Sequence, residues 1–348
     1  MTESNPVLIE RRDHVESTGL DRGRSSGLDG LRAVAAILVV LFHVRTVNNI
    51  EFGPIDRIIE GGSSGVYLFF ALSGYLLYKP FLRGPVYLAG YAMKRAGRLI
   101  PGYLVALVGL TLLTGNRLAI DHPLPYVTIT APYDIPLRAF LGNAWTLTVE
   151  VLFYLTLPLF ARIPRGREVA VLGGLAILSM VAAWWHRLEL TDANAWMIGT
   201  YPLSFYAFVP GMFLALAEVR RPALFERLSR PAWLILGLAL LLLGTLMTLL
   251  PVAFATSIGT PLVMAWILHQ RLPGGRWLAF AGGASYALYL WHKDLQIAFG
   301  AAGVLIAVIA ACLSWALIER PLLAIAHAWS ARRQARAQLE LALAAQPQ

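Results

Sequence analysis

The sequence predicts an all-α fold, a polytopic membrane helix bundle of about ten transmembrane helices with both termini cytoplasmic. Three observations predict it. Hydrophobic residues make up 57% of the 348 and charged residues only 14%, whereas about a quarter of a typical soluble domain is charged. The apolar residues fall in runs of roughly 18 with few charges, enough to cross a ~30 Å hydrocarbon core as helix. Lys and Arg are shared unequally between alternate connectors.

Residues 1–27 are polar and contain no cleavable signal peptide, so they read as a disordered cytoplasmic leader. Apolar runs follow at 31–48, 65–82, 99–115, 141–161, 169–186, 198–218, 231–249, 252–269, 277–298 and 301–319. The longer connectors, 49–64 and 116–140, are polar and carry Pro and Gly. Lipid requires each segment to close its own backbone hydrogen bonds, which makes the runs helices. Run length and the lack of period-2 alternation exclude a barrel. A transmembrane domain at 28–323 is thus followed by a basic cytoplasmic tail, 324–348, which from Ala331 is expected as a surface helix or disordered segment near anionic headgroups. The lone Cys312 lies inside an apolar run and reads as a small core residue.

With the N-terminus inside, all but Arg45, Arg57, Arg117, Arg138, Arg187 and Lys293 of the 29 Lys and Arg residues lie on the cytoplasmic side. Every connector agrees in sign, as the positive-inside rule requires for a multi-pass protein of the inner (plasma) membrane. The net charge of +9 is therefore mostly topology, and no nucleic-acid partner is expected.

Ionisable groups within spans are costly and mark function. Counted at 1.5 Å per residue, His43 and Ser73 each lie ~18 Å from the cytoplasmic edge and Glu150 ~16 Å from it, near one mid-membrane level. A carboxylate beside a histidine fixes its tautomer and leaves the other ring nitrogen to take a hydroxyl proton. The alternative is that His43 and Glu150 each satisfy a neighbouring helix. In KRAGR (94–98), Arg95 and Arg98 share a helix face and suit a phosphate, although membrane anchoring accounts for the same pair. Arg32, which Asp29 can pair, sits at the entry of the first span. Trp291 and His292, with Tyr286 and Tyr289, read as an interfacial aromatic belt. Glu319 reads as a helix-end partner for an arginine.

These residues form a recognisable pattern. GLDGLRAVAAILVVLFH (27–43) carries Arg32 and His43 in Arg-x10-His spacing. SGVYLFFALSGYLL (64–77), KRAGRLIPGY (94–103), NAWTLTVEVLFYLTLP (143–158), SYALYLWH (285–292) and LSWALIERP (313–321) follow in order. The chain resembles the acyltransferase 3 family of integral-membrane O-acyltransferases over about 85% of its length. Tyr67 stands where that family often has an acidic or small residue, 201–213 lacks its arginine before a Gly-rich stretch, and no esterase-like domain follows.

The resemblance implies transfer of an acyl group, often acetyl, from cytoplasmic acyl-CoA to a hydroxyl of an envelope carbohydrate or glycoconjugate. A small secreted metabolite such as a macrolide, or a glycolipid, is the alternative acceptor. No metal is implied. His43 would be the base, oriented by Glu150, with the Ser73 hydroxyl or backbone donors around Gly74 stabilising the oxyanion and Arg32, Arg95 and Arg98 binding the donor. Outside the enzyme class, a mid-membrane His and carboxylate also fit a proton-coupled transporter or flippase.

Overall fold

The computed structural model describes residues 6–188, 200–246, 250–270 and 275–344, with side chains over 27–186, 200–246, 253–270 and 275–336. Its long helices are α1 (Pro6–Asn48), α2 (Gly65–Arg83), α3 (Leu88–Thr114), α4 (Trp145–Phe160), α5 (Glu168–Leu188), α6 (Val209–Arg220), α7 (Pro231–Leu246), α8 (Leu250–Gln270), α9 (Arg276–Phe299), α10 (Ala302–Ser314) and α11 (Arg320–Ala344). There is no strand among the described residues, and the chain is a polytopic helical bundle. Most apolar runs coincide with one long helix over their described residues, but 198–218 is broken between Tyr201–Ala207 and Val209–Arg220 and 301–319 passes from α10 into a π-helical turn; 198–199, 247–249 and 271–274 lie outside the described residues.

Six helical stretches are long and apolar enough to span a membrane, or up to eight if two bent pairs each count as one. Ten were expected. The bent pairs are Tyr201–Ala207 with Val209–Arg220, at 42°, and Pro222–Leu228 with Pro231–Leu246, at 62°. Helix α9 is not among the six because Tyr286, Tyr289, His292, Lys293 and Asp294 interrupt its apolar sequence.

Two terminal expectations change. From Pro6 onward the leader is helix, continuous with α1, because extending a formed helix costs far less than starting one. The tail does not begin a separate segment at 324. A π-helical turn, Trp315–Glu319, joins α10 to α11, and α11 packs on α3 with Ala326 and Ser330 buried against Gly97 and Gly90.

The most extensive pairings are α1 with α9, α7 with α8, α9 with α10 and α2 with α6. Small residues make them possible. In lipid no solvent drives helices together, so close van der Waals approach must do it. Gly211 of α6 lies against the carbonyl of Ala71, and Gly74 of α2 against that of Phe208. Beside this contact Phe208 stacks on Phe153 and Phe70, ring centroids 4.1 and 4.6 Å apart, pairs worth about 0.5–1.5 kcal/mol each beyond their area. Nearer the basic end, Glu218 of α6 accepts from Lys79 (2.6 Å) and Tyr75 (2.6 Å) of α2. Removing one partner of such a buried pair costs about 3–5 kcal/mol.

At the other end, Tyr126 holds the 116–140 connector over the bundle. Its hydroxyl donates to the Leu137 carbonyl (2.7 Å), and its own carbonyl accepts from Tyr103 (2.7 Å). Burial pushes the Tyr126 phenol up to about 12, so it stays a neutral donor at all ordinary pH.

A side chain at 211 would collide with backbone, which cannot rotate away. Gly211→Val is expected to cost about 1–3 kcal/mol and to lower the melting temperature in detergent. Gly174→Ala, where a Cβ meets nothing within 4 Å, should leave it unchanged. Equal melting of both variants would contradict the α2–α6 contact.

Candidate active site

At the basic end of the bundle a cavity lies between α1, α2, α3, α4 and α9. Arg32, Arg95, Arg98, Ser73 and Glu150 all line it, so five of the six side chains chosen from sequence meet in one chamber. Arg95 and Arg98 share a face because they stand three apart on continuous helix.

These guanidiniums are held chiefly by aromatic rings. Arg98 lies 5.4 Å from the Tyr286 ring and 5.3 Å from the Trp315 ring, and donates to the Gly283 carbonyl at 3.3 Å. Arg95 sits 6.0 Å from Tyr91 and 5.9 Å from Tyr154, and its Nε is buried without a hydrogen-bond partner. Arg32 donates to Asp29 at 2.9 Å. Stacking positions a guanidinium without using its in-plane N–H donors, which remain for an anion. The π-helical turn presents Trp315 to Gly283; such turns often mark functional positions. Glu319, expected beside an arginine, accepts instead from Ser314 at 2.7 Å.

Glu150 is committed within the same chamber. Its Oε1 accepts from Ser73 Oγ (3.0 Å) and from the Tyr154 hydroxyl (2.5 Å). A serine hydroxyl has one proton, and that of Ser73 is spent on Glu150, which removes the expected oxyanion donor. Nor does Glu150 orient His43.

His43 lines a second cavity, and the two chambers share Val66 and Tyr289. His43 Nδ1 lies 2.9 Å from the Val39 carbonyl and 3.1 Å from His292 Nε2, while His292 Nδ1 lies 3.1 Å from the Leu288 carbonyl. A carbonyl only accepts, so both Nδ1 atoms must carry protons. His292 Nε2 is then an acceptor for His43 Nδ1–H. The lone pair of His43 Nε2 is left for chemistry. His43 Nδ1–H is then shared between the Val39 carbonyl and His292 Nε2 as a three-centre bond, and His292 takes the place expected for Glu150.

His292 is 0% exposed, so it is no interfacial residue. The depth count put it ~3 Å from the level of His43, but depth does not say which faces meet. The signal lay in the Trp-His of 285–292. Tyr289, the shared wall, is pinned: its hydroxyl donates to the Asn143 carbonyl (3.0 Å) and accepts from Thr146 (3.1 Å).

A helical bundle that sets a chamber lined by three arginines beside one that holds a histidine has the build of an enzyme. The chain belongs to the acyltransferase 3 family: the family's acyltransferase domain matches residues 25–320. It is accordingly an acyltransferase. It is 28% identical to the exopolysaccharide production protein ExoZ of Rhizobium meliloti (strain 1021), over 75% of this chain and 90% of that one. Nodulation protein 10 of Rhizobium leguminosarum bv. viciae is 27% identical over 89% and 96%. A Staphylococcus aureus (strain COL) protein, provisionally described as an O-acetyltransferase, is 28% identical over 38% of this chain and 24% of that one. No solved structure matches.

Nitrogen-15 spectra of histidine-labelled protein in detergent should show His43 as the Nδ1–H tautomer at pH 7.5. An Nε2–H signal assigned to His43 would overturn the hydrogen-bond assignment.

Proposed function

We propose that this protein transfers an acyl group, acetyl in the first instance, from cytoplasmic acyl-CoA to a hydroxyl of a cell-envelope carbohydrate. One observation carries the reading: an arginine-lined chamber adjoins the chamber of a free histidine lone pair, and the two meet at Val66 and Tyr289. The relative described by its role in exopolysaccharide production favours a carbohydrate acceptor.

In this reading the basic end faces the cytoplasm of a plasma-membrane protein with both termini inside and a transmembrane domain at 28–323, an orientation that the Lys and Arg distribution favours. Arg95, Arg98 and Arg32 take the donor's phosphates, for which guanidinium forks are suited. The pantetheine arm follows the apolar wall of Phe69, Leu72 and Leu76 and brings the thioester to the Val66–Tyr289 junction.

There His43 Nε2 removes the acceptor's hydroxyl proton as the oxygen attacks the thioester carbonyl. The new imidazolium is stabilised through Nδ1–H by the Val39 carbonyl and His292 Nε2. When the tetrahedral intermediate collapses, an ester forms and the C–S bond breaks. CoA leaves as thiolate and takes the proton back from His43. Glu150 and Ser73 act on the donor side. Glu150 in the chamber and Asp29 beside Arg32 limit the mutual repulsion of the three guanidiniums, which is severe away from water.

CoA release from acetyl-CoA by purified protein, with an envelope saccharide fraction as acceptor, tests this. His43→Ala should lower kcat about 10²–10⁴-fold, the usual worth of a general base. Arg95→Ala should chiefly raise the KM for acetyl-CoA. Wild-type protein releasing no CoA from any acyl-CoA would overturn the proposal. A stoichiometric burst of CoA without acceptor would replace direct transfer with an acyl-enzyme.

A further inference from the structure

The chamber that holds His43 contains a cation the reaction above does not use. Lys293 lines it and makes no hydrogen bond or ion pair among the described residues. It is close enough to His43 for their charges to interact. The neighbouring carboxylate, Asp294, is buried and turned to the Leu141 amide, from which it accepts at 3.0 Å. Lys293 is partly exposed, and an ammonium in a pocket with its N–H donors unused suits an anionic group.

Asn143, on the same wall, is a second and independent sign of a ligand. It is only 5% exposed, its amide nitrogen donates to the Tyr289 carbonyl, and its Oδ1 has no hydrogen-bond partner. A buried amide oxygen left unpaired costs free energy until a donor reaches it. Trp145 and Phe42 also line the chamber and offer flat apolar faces.

Resting on the transferase reading, we infer that this chamber is the acceptor subsite and that it selects an acidic saccharide. Lys293 pairs with a carboxylate or phosphate of the sugar, Asn143 Oδ1 accepts from a ring hydroxyl, and Trp145 covers the apolar face of the pyranose. A second hydroxyl is thereby placed at His43 Nε2. The anion belongs to the acceptor, because the donor's phosphates meet the three arginines of the other chamber.

Binding of methyl β-glucuronoside, glucose 1-phosphate and methyl β-glucoside to the full-length protein in detergent, measured by calorimetry, tests this without turnover. At least one acidic probe should bind about tenfold more tightly than the neutral one, the scale of one charge-assisted hydrogen bond. Which acidic probe wins tells carboxylate from phosphate. Lys293→Gln should erase the preference and Lys293→Arg retain it. Asn143→Leu should weaken all three probes alike. Equal binding of acidic and neutral probes, or a preference that survives in Lys293→Gln, would overturn the inference. So would a Lys293→Gln enzyme whose kcat falls equally on every acceptor at unchanged KM, since the ammonium would then serve the oxyanion. If the acidic preference holds while no acyl-CoA is consumed, the transferase reading fails and the subsite stands.

Discussion

Helix α1 lies along α9 closely enough that Gly282 meets the backbone of Asp29, and this contact sets His43 against His292. The two histidines are 249 positions apart in sequence. In water their rings would each find solvent. Inside an apolar bundle each must find a protein partner, and the nearest acceptors are the carbonyls one turn back on their own helices, Val39 and Leu288. That local bond fixes which nitrogen is protonated, and the packing of α1 on α9 fixes where the other one points.

The chambers obey the same constraint with opposite outcomes. On the basic side three guanidiniums crowd one cavity, and aromatic rings from α3, α4, α9 and the π-helical turn keep them apart. A ring can hold a cation without consuming its hydrogen-bond donors. A carboxylate could not do so, because it would close the site to a phosphate. Glu150 is occupied by Ser73 and Tyr154, and Asp29 engages only Arg32 among the described residues. Where structure rather than ligand binding is at stake, as between Lys79 and Glu218, the charges are paired directly.

Much of the site was legible because membrane depth can be counted. A fixed rise per residue placed His43, Ser73 and Glu150 at one level, and all three do line the two adjoining chambers. The count is blind to azimuth. Glu150 and His43 share a depth but face different cavities, and His292 was assigned to the interface although it is buried at the centre. Lys293 and Asn143 were passed over for the same reason. The bent pairs and the helical leader escaped because composition reports apolarity and gives no angle, and because a helix, once begun, propagates through residues that would not start one.

By itself the sequence determined that the chain is an all-α polytopic bundle, where its long apolar segments lie, which end is basic and to which family it belongs. These follow from composition, run length and motif order, all local along the chain. Only the tertiary structure decided that Arg95 and Arg98 are sandwiched by rings, that Ser73 serves Glu150, that His292 partners His43, and that two chambers meet at Tyr289. Each depends on how far a helix is rotated about its own axis. That rotation is set by glycines and aromatic rings on neighbouring helices, which no single segment contains.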